Sequence, residues 1–531
     1  MEVTNDARIE AGLLSIMGDG ILKAINVIVQ SAGTLGGDGT IEADVQVFGT
    51  LAAGNSPGAI NITGDLTLDP TSVTEVEIES LTKYDQTIAS GDIILDGTLT
   101  ASNFGAGAIQ VGQKYDVFES TGGIITGEFN TYNAPTNLRV RLLNDGSTAS
   151  LRFAPVTYTL MAQSQNQFNV ALALDEFIPA IAGDAMTVST ALDELSAAEY
   201  PAAFHQVMPY FYESMTEILL DQGFHQTKRL QQRLALLRSI NKASTNETPG
   251  TASGWRAWTQ VNVDSMSAGA FDAAPSYDNE RDGFQVGADY YGKNNIQLGV
   301  FAGRDFNKVD YSPDSKLRSD SIQFGGYASY SKADGTYFDA ILSGGLVDMK
   351  TRRGIAFSTI DRNASAEAES FQFNASLGGG RDFKHGDFTF GPHAAIEFSS
   401  VMVDSFDEQG ADSLNLRLKK QSVRRLTAEL GAHVSYDYQL KTGLTLRPEV
   451  RVSLNSKLSD DGRTIRASFD GVENTSFDYV PTSRDRDGVS TAVGVNLTSN
   501  DDWNASLFWN TNTLGRDGKS DSISLSFDRK F

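Results

Sequence analysis

The chain has 531 residues, a net charge of −24, 21% charged side chains, 50 glycines and no cysteine. That length exceeds the roughly 100–200 residues of one domain, and the acid excess argues against nucleic-acid binding, which needs a basic patch. Absence of cysteine excludes disulfides, cysteine-ligated zinc and thiol catalysis, and it suits export through an oxidising compartment. No run approaches the roughly 18 apolar residues of a membrane-spanning helix, so a closed barrel is the remaining way to cross a bilayer. The opening Met1-Glu2-Val3-Thr4-Asn5-Asp6 has no basic and apolar leader pattern, and the chain is read as a fragment.

From about residue 26 to 153, short segments alternate with period two, as in Val45-Gln46-Val47, Ile60-Asn61-Ile62-Thr63 and Leu66-Thr67-Leu68. Glycines recur at Gly33, Gly49, Gly64, Gly91 and Gly97. Short strands at such spacing predict the rungs of a solenoid. Gly33-Thr34-Leu35-Gly36-Gly37-Asp38-Gly39-Thr40, Gly49-Thr50-Leu51-Ala52-Ala53-Gly54-Asn55-Ser56-Pro57-Gly58 and Gly64-Asp65-Leu66-Thr67-Leu68 stand in that order. Tyr84-Asp85-Gln86, Tyr115-Asp116-Val117-Phe118 and Gly127-Glu128-Phe129 follow. These phrases resemble the passenger-associated repeat of bacterial autotransporters. Gly36-Gly37-Asp38-Gly39 also echoes one copy of a calcium-binding repeat, which reads more simply as a solvated turn. Gly54-Asn55-Ser56-Pro57-Gly58 fits the G-x-S-x-G nucleophile pattern in form, but Pro57 lacks the N–H that the oxyanion hole requires.

Residues 157–242 turn to Ala, Leu, Gln and Glu, with Ser189 or Thr190 as a candidate N-cap before Leu192. Between Ser214 and Ile240, Met215, Ile218, Leu219, Leu230, Leu234 and Leu237 keep helical spacing. Lys228, Arg229, Arg233 and Arg238 lie in the acid-free final part of this stretch. An ordinary core helix satisfies the pattern; the family resemblance implies instead a helix that plugs a pore.

From Gly254 onward, twelve alternating segments follow. Leu426, Ala428, Leu430, Ala432, Val434, Tyr436 and Tyr438 oppose small or polar neighbours, and Ile523, Leu525 and Phe527 oppose Ser522, Ser524 and Ser526. Strands of about ten residues with one apolar and one polar face predict a transmembrane barrel. Tight connections at 292–295, 332–336, 384–387, 441–443 and 500–502 alternate with longer polar ones near 266–282, 309–319, 352–366, 405–423, 459–486 and 512–520. That alternation suits a barrel with two unlike rims. Trp255, Trp258, Tyr290, Tyr337, Trp503 and Trp509 are expected in aromatic girdles at the membrane interfaces. Glu429, Arg447, Glu449 and Arg451 fall on faces expected to point into the lumen, either as a solvated lining or as partners for basic side chains of the helix.

The end of the chain extends the resemblance. Leu525, Phe527 and Phe531 match the alternation of a barrel assembly signal, while Arg529 stands where the family favours an aromatic. The resemblance implies an all-β chain: a 12-stranded antiparallel transmembrane barrel with a lumenal helix, after a right-handed parallel β-helix fragment. Expected divisions are 1–156 for the passenger, 157–253 for the helical linker and pore helix, and 254–531 for the barrel. Implied function is type V secretion of the chain's own passenger, with no cofactor. Implied partners are the outer-membrane bilayer, the barrel assembly machinery and periplasmic chaperones, around a monomeric barrel that binds no nucleic acid. A passive porin or surface-binding barrel is the rival reading. A hydrolase is disfavoured, because the S-x-x-K matches at Ser80, Ser239 and Ser329 lack companion motifs and the five histidines show no H-E-x-x-H. No metal site is expected either.

Overall fold

A computed structural model describes residues 1–243, 254–269, 276–292, 295–311, 315–441, 443–461, 464–481, 487–499, 502–513 and 518–531. These form two compact units, Met1–Phe204 with Ala356–Ile360, and His205–Ile355 with Asp361–Phe531.

In the first unit, short parallel strands stack into three ladders. One runs Ala7, Val27, Val45, Leu66, Ile93, Ile125. Another runs Leu35, Leu51, Thr74, Leu99, Tyr132, and the third Leu22, Ile41, Ile62, Ala89, Ser120. Because side chains alternate along each strand, every second residue enters the interior and meets its equivalent from the next rung. Val27, Leu35, Ile41, Leu51, Leu66, Ile93 and Leu99 are completely buried. The repeated glycines let rungs approach: a Cβ on Gly33 would lie 2.3 Å from the Ile9 carbonyl oxygen. Thr148–Pro155 ends the ladders by pairing antiparallel with both Lys114–Ser120 and Leu138–Asn144.

Ser56 sits exposed in a turn with φ of 54°. Gly58 N, two residues on, donates to Asp85 Oδ1 at 3.0 Å, and Glu77 N donates to Oδ2 at 2.8 Å. The Gly-Asn-Ser-Pro-Gly phrase therefore seats a buried carboxylate; its serine makes no contact with a base. Asp38 Oδ1 accepts from Gly18 N at 2.6 Å, as a turn residue does. After the ladders come α1 (Gln165–Asp175), capped by Ser164, and α2 (Gly183–Asp193). Ser189 and Thr190 lie inside α2 rather than capping a helix, and both hydroxyls donate back to Met186 O. The fully buried Asp193 at the end of α2 accepts from Arg139 at 2.8 Å and Arg141 at 3.1 Å.

The second unit holds α4 (Tyr210–Ala243), which follows α3 (Tyr200–Val207), and twelve long strands. The strands are β1 (Gly254–Ala268), β2 (Tyr277–Tyr291), β3 (Ile296–Tyr311), β4 (Ser315–Ser331), β5 (Thr336–Phe357) and β6 (Ile360–Arg381). Then follow β7 (Phe388–Val403), β8 (Gln421–Tyr436), β9 (Leu444–Asp461), β10 (Asp487–Ser499), β11 (Trp503–Thr513) and β12 (Gly518–Lys530). Each pairs antiparallel with its neighbours, and β1 pairs with β12, so the sheet closes without an edge. Closure satisfies every strand's backbone inside a bilayer. Val263, Val300, Leu346, Leu377, Leu430, Leu454 and Ile523 face outward and are more than half exposed, an apolar surface suited to lipid. Among the described residues no helix is long and apolar enough to cross a membrane.

Two sequence expectations need correction here. Most of 309–319 and 352–366, expected as polar connections, is strand: β3 runs to Tyr311, β4 starts at Ser315, and β5 and β6 leave two residues between them. There the outward face carries charges such as Lys350 and Glu367, paired across strands at 2.7 Å. Backbone pairing continues past the lipid while the apolar signal stops, so patterning alone ends the strand too early. Trp258 and Tyr337 are not girdle residues. Both face inward and are nearly buried, whereas Trp255 and Trp509 are exposed outward. The connections 405–423 and 459–486 contribute a four-stranded sheet of Phe406–Asp407, Leu416–Leu418, Ile465–Phe469 and Phe477–Tyr479. The tight turns at 293–294 and 500–501, and the linker 244–253, lie outside the described residues.

Candidate functional site: a helix inside the barrel

α4 is enclosed by the ring over most of its length, and polar and apolar positions alike are buried from Glu213 to Arg238. At 34 residues it spans about 50 Å, against an apolar band of about 25 Å. Its amphipathicity is unlike that of a surface helix, because water is not its polar partner. The partners are strand side chains.

One seam is apolar. Leu230, Leu234 and Leu237, spaced to share one helix face, pack with Trp258, Phe301, Tyr327 and Ile341 from β1, β3, β4 and β5. Trp258 Nε1 donates to Tyr327 Oη at 2.8 Å, which keeps the indole satisfied in the lumen. Nearer the N-terminus, a Cβ on Gly223 would lie 2.2 Å from Asn374 Oδ1, and Gln372 of β6 donates to Leu219 O at 2.7 Å. The helix thus lies close to the wall of β1 to β6.

Around this seam Lys228, Arg229, Arg233 and Arg238 each meet acids. Lys228 Nζ donates to Glu397 at 2.9 Å and to Glu429 at 2.5 Å. Arg229 lies 3.2 Å from Asp264, which also accepts from Arg281 at 2.6 Å. Arg233 donates to Asp528 at 2.6 Å and also to Asp289. Arg238 donates to Asp339 at 2.7 Å with its guanidinium 3.8 Å from the Tyr337 ring centroid. Acids of α4 are matched in reverse: Glu217 with Arg425 at 3.0 Å, Asp221 with Arg281 at 3.4 Å. Such pairs specify register strongly, since removing one member leaves the other charge buried without its partner at about 3–5 kcal/mol.

Of the lumenal charges read from sequence, Glu429 meets the helix. Arg447 pairs with Asp437, and Arg451 with Glu449 at 2.9 Å, both along the strand wall. The acids Asp264, Asp289, Asp339, Asp528 and Glu397 were missed as helix partners, as was the apolar patch on the wall. Strand alternation carried part of the signal: Asp264 and Asp528 share parity with the polar faces of their strands. Leu525, Phe527 and Phe531 all point outward and are about half exposed or more. Phe531 N closes onto Trp255 O at 3.1 Å.

Two serine–histidine contacts occur in the lumen, His225 with Ser520 at 2.8 Å and His393 with Ser453 at 2.9 Å. In each, the nearby carboxylate, Asp221 or Glu429, approaches the same Nε2 that meets the hydroxyl, and Nδ1 has no partner. A relay needs the acid on Nδ1 to orient the base, so neither contact is a triad. Among the described residues no group of three or more His, Cys, Asp or Glu is arranged to hold a metal ion.

Residues 257–510 match the family model described as the autotransporter beta-domain. This segment is an autotransporter β-domain. The whole chain is also similar to an extracellular serine protease of Serratia marcescens, 24% identical over 93% of this chain and 51% of that protein. Pertactin autotransporter of Bordetella bronchiseptica is 24% identical over 44% of this chain and 24% of its own length. The chain thus spans about half or less of the curated relatives it matches. The translocator domain of the autotransporter NalP from Neisseria meningitidis shares 12% identity, covering 59% of this chain and 99% of that one, with a TM-score of 0.43. The β-domain of Bordetella BrkA shares 18% identity over 52% of this chain and all of its own, with a TM-score of 0.41. The β-domain is a translocator barrel of the bacterial outer membrane.

Proposed function

We propose that this β-domain exports the polypeptide joined to its N-terminal side and that α4 then stays in the lumen as a seal. The observation that carries the reading is a closed barrel filled by the helix that precedes its own first strand. A porin has no use for a lumen matched to a helix by buried ion pairs and a leucine seam. In this reading Lys228, Arg229, Arg233 and Arg238 are the anchors of the plug, with Glu429 among their acids. Arg447, Glu449 and Arg451 stiffen the wall. Residues 1–156 are passenger, 157–253 linker and pore helix, and 254–531 barrel.

No bond chemistry is assigned to these residues. The barrel supplies a polar route through the bilayer, and folding of the stacked β-helix outside biases movement outward. Leu525, Phe527 and Phe531 present an exposed apolar strand end, which suits recognition by barrel assembly machinery and periplasmic chaperones. The test is to express the chain behind an export signal and digest intact cells with protease. Residues 1–156 should be cleaved while the barrel is protected. Protection of both until the cells are opened would overturn the reading in favour of a plugged barrel without export.

A further inference from the structure

The lumen has two unlike walls. β1 to β5 and β7 and β8 present the leucine seam and nearly all the charges that hold α4. β10 to β12 present Ser490, Asn496, Ser506, Asn510, Ser522 and Ser524, with Ala492 and Phe508 among them, and no inward charge until Asp528 at the end of β12. Three small cavities, of about 70, 20 and 20 Å3, follow one another along α4 from Glu217 to Leu236. Asn455 and Asn512 line the first, Ser490 and Asn510 the second, Ser506 and Ser524 the third, each cavity reaching the edge of the other wall at Glu397, Glu429 and Trp258 respectively. Asn510 Nδ2 and Asn512 Oδ1, beside the first two cavities, are buried with no protein partner, as Gln323 Nε2 and Ser343 Oγ are on the opposite wall, so spare hydrogen-bonding capacity is common to both walls and charge is what separates them.

We propose that the β10 to β12 wall is the track along which the extended passenger moves, while the opposite wall is the berth for α4. This rests on the export reading above. A moving chain presents every side-chain type in turn, so a good track must bind none of them strongly. Serine and asparagine offer hydrogen bonds that are each modest in net terms and replaceable by water. A charged wall would instead hold opposite charges and repel like ones. The berth is the reverse, since its pairs and leucine contacts fit one helix in one register.

A direct test is possible in the full chain. A photo-crosslinking amino acid placed at Ser506, Asn510 or Ser524 is compared with the same probe at Gln323 or Ser343, during a pulse of synthesis in cells. Surface protease digestion is scored in parallel. With export intact, crosslinks from passenger residues to the first three sites, and several-fold fewer to the last two, are expected. Equal crosslinking on both walls with export intact overturns the track. Failure of the passenger to reach the surface in the unsubstituted chain overturns the export reading itself, and the track with it. As a second measurement, the pair S506R and S524R should slow surface appearance several-fold with normal heat-modifiable barrel. The pair Q323R and S343R should not. Equal slowing by both pairs, with equal barrel, also overturns the proposal.

Discussion

The β-helix and the barrel solve the same problem from opposite sides. Both are built from period-two strands, yet the β-helix turns Val27, Val45 and Leu66 inward, while the barrel turns Val263, Val300 and Leu346 outward. In the first the apolar residues of one rung cover those of the next, so water is excluded by stacking. In the second the lipid takes that role and the interior is left to polar groups, which then need a partner of their own. α4 is that partner. Alternation tells where strands are; which face is the core depends on the solvent the sheet was made for.

The largest effect that separates the two should come from the helix. Replacing Arg229, Arg233 and Arg238 together by Glu turns three buried attractions into repulsions. Single-channel conductance should rise sharply while heat-modifiable barrel still forms. A triple variant that stays closed would show that the leucine seam alone holds the plug. The β-helix has no equivalent lever, because its interior ladders carry no ion pairs.

A matched substitution sharpens the contrast. Val45→Arg places a charge among Val27 and Leu66, where nothing can pair with it, and should cost more than about 4 kcal/mol, enough to unfold neighbouring rungs. Val300→Arg faces lipid and should cost about 2–4 kcal/mol near the midplane, and far less near a rim. Urea midpoints of the full chain in lipid, read by proteolysis of the two regions, compare them. Equal losses would mean that Val300 is not lipid-facing.

A smaller effect is expected from pH, and in the β-helix rather than the barrel. Burial raises Asp85 in the β-helix, and Asp175 at the end of α1 beyond it, to about 6, from an ordinary 3.8. Between those values the folded state holds more protons than the unfolded one. Their contribution is therefore present in acid and is lost as pH rises through about 6. Protease resistance of residues 1–156 should increase between pH 7 and pH 5, and Asp85→Asn should flatten that slope. An unchanged slope in the variant would assign the dependence elsewhere.

The smallest expected change in stability is at Phe531, 79% exposed with its backbone tied to Trp255. Deleting it should lower the amount inserted in cells and leave detergent refolding nearly unaffected. Equal losses in both assays would make it ordinary packing.

How far the sequence could be read follows from the same contrast. The solenoid rungs and barrel strands were legible because each repeats a local period. α4 was legible as a helix, and its cations stood out against an acid chain. Partners such as Asp289, Asp339 and Glu397 were not legible, since choosing them needs the register of a helix inside a ring, which no local pattern encodes. Trp258 and Tyr337 were misplaced for a related reason. Aromatics near strand ends satisfy a girdle or a lumenal contact equally well until parity is known. The long connections were shortened in the structure because pairing outlasts the apolar signal.

One carboxylate joins parts of the chain that are made at very different times. Asp528, three residues from the terminus, accepts from Arg256 of β1 at 2.8 Å and from Arg233 of α4 at 2.6 Å. It is the point where the first strand, the last strand and the plug meet. Until β12 has docked on β1, Arg233 lacks one of its two acids and the lumen has no complete seat for it. Arg233 therefore has its full set of acids only in a ring that β12 has closed on β1.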